Sequence, residues 1–203
     1  MRIHHLLPIL ATLAISACGP RSELIRLTPP LPDSAHPADG TVVAVGPFED
    51  SRAADWHGAK VGEWIPGGGE KYKVSYVISG PAADLVRDLV TALLEKDGFA
   101  VLRTSDPQAA KGAVLTGRIE TLETRLGKGA WVGSLECRIR LALTVARRGK
   151  TVAQKDLEVK HMRHSATTQP EAYQRVTEEA LGKLLAEVEA YVDSAAFRKA
   201  VRQ

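Results

Sequence analysis

Ser134-Leu135-Glu136-Cys137-Arg138-Ile139-Arg140-Leu141-Ala142-Leu143-Thr144-Val145-Ala146 decides the fold. Leu135, Cys137, Ile139, Leu141, Leu143 and Val145 recur at every second position, the period of a β-strand with one buried face. Between them stand Glu136, Arg138 and Arg140, so the opposite face meets water, as antiparallel sheets allow. Arg148-Gly149 follows as a tight turn, and 151–163 reads as the return strand. Upstream, 113–126 supplies a third strand of the same meander.

Two single-faced helices flank this sheet. Leu85, Val86, Leu89, Val90, Leu93 and Leu94 recur at steps of three and four, with Pro81 suited to the first turn and Ser79 or Gly80 as cap. Gly98 takes the left-handed position after the helix. Strands at 41–48, ended by Gly46-Pro47, and at 99–102 bracket the helix as a strand–helix–strand unit. The second helix opens on a capping box, Thr168-x-x-Glu171 with Pro170 inside it, and keeps one apolar face to Val192. Helices and sheet must bury their faces against one another. The expectation is an α+β, two-layer sandwich: a mixed sheet of about five strands with two long helices packed on one face. Residues 49–76, rich in glycine, read as a long loop or loose hairpin.

The N-terminus carries an address. Arg2, His4 and His5 precede an apolar run at 6–17, far short of the roughly 20 residues that span a bilayer. Its proportions are those of a secretory signal. The run closes on Ile15-Ser16-Ala17-Cys18, which resembles the bacterial lipobox. That resemblance implies cleavage between Ala17 and Cys18, a diacylglycerol on the Cys18 thiol and acylation of the new amino group. Each buried CH₂ contributes about 0.8 kcal/mol, so several chains hold where one is marginal. Gly19 in place of aspartate implies sorting to the periplasmic face of the outer membrane. The domain reading is a signal peptide at 1–17, a lipidated proline-rich tether at 18–40 and a single α+β periplasmic domain at 41–203. A polyproline tether of that length reaches about 60–70 Å at roughly 3.1 Å per residue.

Composition narrows the function. The chain has 203 residues, is 44% hydrophobic and 25% charged, and carries a net charge of +3. Aromatic residues are 5%, too few for a nucleic-acid stacking platform, and the charge is too balanced for a polyanion binder. Two cysteines build neither a disulfide scaffold nor a cysteine zinc site, and Cys137 reads as a buried thiol. No serine sits in a nucleophile elbow, and Gly67-Gly68-Gly69-Glu70-Lys71 lacks the ending of a phosphate loop. His161 and His164 fall on opposite sides of a strand. The pairs Glu120/Glu123 and Glu178/Glu179 read as solvated. Arg138, Arg140, Arg147, Arg148 and Lys150 read as a wet sheet face or as a contact to anionic polymer or lipid. Trp131, in a hairpin loop between Gly129 and Gly133, is either a partner contact or folds back on the core. No catalytic residue, metal or cofactor is expected.

Val43-Ala44-Val45-Gly46-Pro47-Phe48-Glu49-Asp50-Ser51-Arg52 resembles the opening strand of the YajG-like outer-membrane lipoproteins, which ends in an Asp-Ser-Arg turn. The resemblance continues through Val61-Gly62-Glu63 and Leu93-Leu94-Glu95-Lys96-Asp97-Gly98-Phe99; the Gly67-Gly68-Gly69 stretch departs from it. That family is similar in architecture to the TolB N-terminal domain and to LpoB-type activators of peptidoglycan synthases. It implies an envelope protein with no assigned catalysis. Independently of the family, Asp50 or Ser51 can bond backbone N–H groups, and Arg52 can reach a carboxylate or free carbonyls, a turn that pins the strand exit or meets a partner. The expectation is a lipid-anchored, non-enzymatic adaptor or structural component of the envelope, held to the membrane and bound to an envelope protein, with no nucleic-acid partner. The alternatives are an auxiliary lipoprotein of a lipid or lipopolysaccharide transport system, or a regulator of peptidoglycan synthesis.

Overall fold

The computed structural model describes residues 20–33, 40–67, 69–107, 112–126, 133–165 and 167–202. Its strands are β1 (Arg21–Leu24), β2 (Val42–Asp50), β3 (Lys60–Trp64), β4 (Val74–Val77), β5 (Ala100–Arg103), β6 (Ala113–Leu126), β7 (Ser134–Arg147) and β8 (Lys150–His164). The helices are α1 (Ala82–Lys96), α2 (Pro170–Asp193) and α3 (Ala195–Arg202). The fold is therefore α+β with a mixed sheet, as expected. The sheet has eight strands among the described residues where about five were expected, and a third helix follows the two.

The meander forms as its periodicity demands. β6 pairs antiparallel with β7, and β7 with β8, along nearly their whole lengths. Arg148 and Gly149 both have positive φ, +49° and +74°, the two-residue hairpin geometry whose twist matches the strands. The other edge of β6 is shared. Its first half pairs parallel with β2, and its last rungs, Thr124 and Arg125, pair parallel with Gly62 and Glu63 of β3. The sheet thus forks at β6, one branch running to β2 and β5, the other to β3, β4 and β1.

Each departure from the expected elements has a local cause. Gly46-Pro47 does not end β2; it makes a register shift between Val45 and Phe48, after which the strand continues to Asp50. Of the long loop or loose hairpin expected at 49–76, the hairpin forms as the antiparallel pair β3–β4, its strands too short and too glycine-rich to show a period. α1 has Pro81 itself at the cap position, and Gly58 O accepts from Ala82 N at 2.9 Å. The capping box at α2 does not form: Gln169 is the cap, and Thr168 O instead accepts from the Tyr76 hydroxyl at 2.5 Å. α3 starts after Ser194, whose Oγ accepts from Phe197 N at 3.2 Å. Phe197 then packs edge-on to Phe99 and Tyr191.

Among the described residues of the segment read as a proline-rich tether, 20–33 lies against the folded body. β1 pairs in parallel with β4, Arg21 opposite Val74, and Ile25 is buried in the core. Thr28 N donates to Glu178 Oε1 at 2.8 Å, and Lys96 Nζ donates to Pro32 O. Four residues were too few to show alternation; further on, Pro30 lies against Gly182 of α2 and Pro32 O accepts from Lys96 at the end of α1.

One core joins all of this. α1 packs on β2 and β5, α2 on β7 and β8, and the two helices touch each other. Leu115, Ile119, Leu143, Leu184 and Val188 are all buried there. Phe48 lies where Gly117 lacks a side chain: a Cβ on Gly117 would sit 2.4 Å from the ring. Gly117→Ala is expected to lower stability by about 1–3 kcal/mol, the usual cost of overpacking. Urea unfolding measures it, and pairing the substitution with Phe48→Leu should recover part of the loss.

Candidate functional site

The densest polar cluster lies in the fork. β2 ends with Asp50 opposite Ile119, and Ser51 donates twice to Ile119 O, from its N at 2.9 Å and its Oγ at 3.1 Å. Arg52 then folds back with its side chain buried between the branches, 4% exposed. Its Nε and one terminal nitrogen donate to the two Asp50 carboxylate oxygens, both at 2.7 Å. The remaining N–H groups donate to Lys60 O at 2.7 Å, Leu122 O at 3.1 Å and Gly58 O at 2.9 Å. A guanidinium has five N–H donors, and all five are used. Leu122 lies in the stretch of β6 between the β2 rungs and the β3 rungs, so Arg52 serves an edge that no strand reaches.

A second ionic group adjoins the first. Lys60 Nζ donates to Glu63 Oε2 at 2.5 Å, and Lys73 Nζ reaches the same oxygen at 3.2 Å and Glu70 at 3.3 Å. Residues three apart on a strand normally face opposite ways; the register shift between Lys60 and Gly62 turns this pair together. Lys60 Nζ also sits 4.2 Å from the centre of the buried Trp56 ring, and the Arg125 guanidinium 4.7 Å from it. Under Glu63, Gly62 admits the stacked Tyr76 and Tyr173 rings, 4.0 Å apart, and Tyr173 donates from its hydroxyl to Glu63 O at 3.1 Å.

These charges are committed to one another. Burial pushes the Asp50 carboxyl up, but the Arg52 guanidinium and Gly58 N–H outweigh it and hold it below the ordinary carboxylate range. Burial likewise raises Glu63, and Lys60 and then Lys73 more than offset it. Neither carboxyl is poised as an acid or base near neutrality. The arrangement can hold two sheet branches in register; it places no nucleophile beside a base.

The other residues singled out in the sequence fall as follows. Asp50, Ser51 and Arg52 come together as described. Ala17, Cys18 and Trp131 lie outside the described residues. Cys137 is fully buried, and burial pushes its thiol up to about 12. Glu120 pairs with Arg118, Glu123 with Arg125, Arg138 with Glu136, and Arg140 with Glu158. Arg147 donates to Val201 O. Glu179 takes His161 and Arg163, while Glu178 takes Thr28 N. No group of three or more His, Cys, Asp or Glu that could hold a metal occurs among the described residues. Trp56, Lys60 and Lys73 escaped the sequence reading, and Glu63 entered it only within the resemblance at Val61-Gly62-Glu63. Their only signal was a Lys-x-x-Glu spacing that becomes a pair once the strand is bulged.

No protein-family model matches the sequence, and no curated protein is similar to it. Solved structures do share the fold. Protein XCC0632 from Xanthomonas campestris, of family DUF330, superposes with a TM-score of 0.59 at 20% identity, covering 85% of this chain and 93% of that one. A putative neuraminyllactose-binding hemagglutinin homolog from Helicobacter pylori gives 0.50 at 11% identity over 86% and 97%. A minor lipoprotein from Acinetobacter baumannii gives 0.44 at 10% identity over 77% and 92%. The first two establish a shared fold.

Two outcomes are expected at the fork. Arg52→Ala leaves the half-buried Asp50 carboxylate and the carbonyls of Lys60, Gly58 and Leu122 without their donor and should cost about 2–4 kcal/mol. Arg52→Lys, with three donors for five sites, should cost about 1–3 kcal/mol. Chemical denaturation at pH 7 ranks them. Asp50 and Glu63 are both lower in the folded chain than the unfolded values of about 3.9 and 4.3. Their stabilisation is therefore full above those values and disappears as pH falls through the folded ones. The urea midpoint should drop between about pH 5 and 2, and Asp50→Asn should flatten that drop.

Proposed function

We propose that this chain is a lipid-anchored envelope protein, acylated at Cys18 and held at the periplasmic face of the bacterial outer membrane. There it acts as a non-enzymatic adaptor or structural component presenting its folded body to an envelope protein. The reading is supported first by Ile15-Ser16-Ala17-Cys18, which supplies the thiol and the small residues that acylation and cleavage need. The observation that carries it further is the place of β1. Arg21 is already a rung of the sheet, three residues after Cys18, so an acylated cysteine attaches a folded body with almost no slack. No helix among the described residues is long and apolar enough to cross a membrane.

The alternatives draw less support. A lipid carrier needs a groove between helices and sheet, whereas Leu115, Leu143, Leu184 and Val188 fill that interface. A regulator acting through the peptidoglycan layer needs a long reach, and docking of residues 21–33 removes most of the expected tether. Asp50 and Glu63 in the fork are committed to ion pairs with Arg52, Lys60 and Lys73, which fits a structural part in the proposed role.

Cys18→Ala should move the protein from the membrane fraction to the soluble fraction while leaving its thermal midpoint unchanged. Recovery of the variant with membranes would sink the anchor. Chemical crosslinking in intact cells, read by mass spectrometry, should recover an envelope protein with the native chain. A hydrolytic activity abolished by one point substitution would instead make the protein an enzyme.

A further inference from the structure

β1 sets which end of the molecule meets the membrane. It runs parallel to β4 with Arg21 opposite Val74, and β3 returns antiparallel with Trp64 opposite the same Val74. β3 in turn runs parallel to β6, Glu63 opposite Arg125. The start of β1, the β3–β4 connection and the end of β6 therefore share one end of the sheet. A chain advances at most about 3.3–3.6 Å per residue, so Cys18 lies within roughly 11 Å of Arg21. If Cys18 is acylated, as proposed above, that end of the sheet cannot stand clear of the bilayer.

Large exposed apolar side chains occur at both ends of the sheet, with Leu24, Val42, Leu102 and Val152 at the far one, and those within reach of Cys18 are at the near end. Ile65 is 42% exposed, Tyr72 38% and Leu126 42%, although each is large and apolar or amphipathic. Ile65 and Leu126 each lie just past the Glu63–Arg125 rung, on adjacent strands. Tyr72 closes the short turn before β4, with Lys71 Nζ 4.8 Å from its ring centre. Arg21 N donates to Lys73 O at 3.1 Å beside them, and its side chain, 66% exposed, pairs with Glu23 at 2.8 Å and keeps its remaining donors toward solvent. Apolar side chains beside exposed cations match a leaflet whose acyl boundary lies under phosphates.

We propose that this end of the sheet is a membrane-docking surface. Ile65, Tyr72 and Leu126 seat at the headgroup–acyl boundary, and Arg21 and Lys71 meet lipid phosphates. The inference rests on acylation at Cys18 but adds to it an orientation: the start of β1 and the ends of β3 and β6 face the lipid, and the opposite ends of those strands point away from it.

The test uses the full acylated chain reconstituted in phosphatidylethanolamine–phosphatidylglycerol vesicles. Single cysteines are placed at exposed positions by Tyr72→Cys, Leu126→Cys and Val152→Cys and labelled with an environment-sensitive fluorophore; native Cys137 is buried and stays unlabelled. Val152 lies near the opposite end of β8, roughly 40 Å along the strand from His164 at about 3.3 Å per residue. Labels at 72 and 126 should shift to the blue and lose most of their emission to a headgroup-depth lipid quencher, while the label at 152 should do neither. Flotation of the vesicles is read in parallel. Protein that floats with labels at 72 and 126 as unquenched as that at 152 overturns the docking surface and leaves the anchor standing. Protein that does not float at all, with Cys18 free of acyl chains, overturns the anchor and the surface together.

Discussion

A strand with a shared edge cannot satisfy every backbone group through neighbours. β6 gives its first rungs to β2 and its last to β3, and between them Leu122 O would face a gap. Buried carbonyls left unbonded are costly. Arg52 resolves this by placing a planar five-donor group in the fork, with Asp50 cancelling its charge. The arrangement is reciprocal, because Gly58 accepts from Arg52 and donates to Asp50. Gly58 O accepts from Ala82 N as well, so the start of α1 hangs on the same cluster. Lysine, a point charge with three donors, cannot reproduce this geometry.

What the sequence disclosed follows from how far each feature extends. β7 was legible because alternation over a dozen residues has one solution, and β8 because the Arg148-Gly149 turn sends the chain back beside it. α1 was legible because its stripe and Gly98, with φ of +81°, agree on where it stops. β1, β3 and β4 span only four or five residues each, below the length at which a period separates from chance. Their pairing is decided by distant partners. The capping box at Thr168 was a fair local reading, but α2 begins one residue later, with Gln169 at the cap. At the fork, Asp50, Ser51 and Arg52 were visible as turn chemistry. Trp56, Lys60 and Glu63 were not, because a bulge decides which way they face.

The charged face of β6–β8 and the buried ions of the fork differ in kind. Pairs such as Arg140–Glu158 are exposed on both sides and contribute little to stability, serving instead to keep a long sheet soluble. An exposed edge strand invites pairing with other chains, and β8 counters this with Lys150, Asp156, Glu158, Lys160 and Arg163 along its length. The ions of the fork are desolvated and geometrically exact in their partners, so they specify which branch lies where.

The parallel register of β1 against β4 also has a mechanical meaning. A pull on residues upstream of Arg21 runs along the strand axis, so it loads the rungs from Arg21 to Leu24 together, in shear. An antiparallel strand drawn out from a hairpin end would peel one bond at a time. Ile25 in the core and Thr28 on α2 lie behind those rungs and would resist only after all of them had slipped. Thermal buffeting at the N-terminal end is thus spread over a ladder rather than concentrated on its first bond.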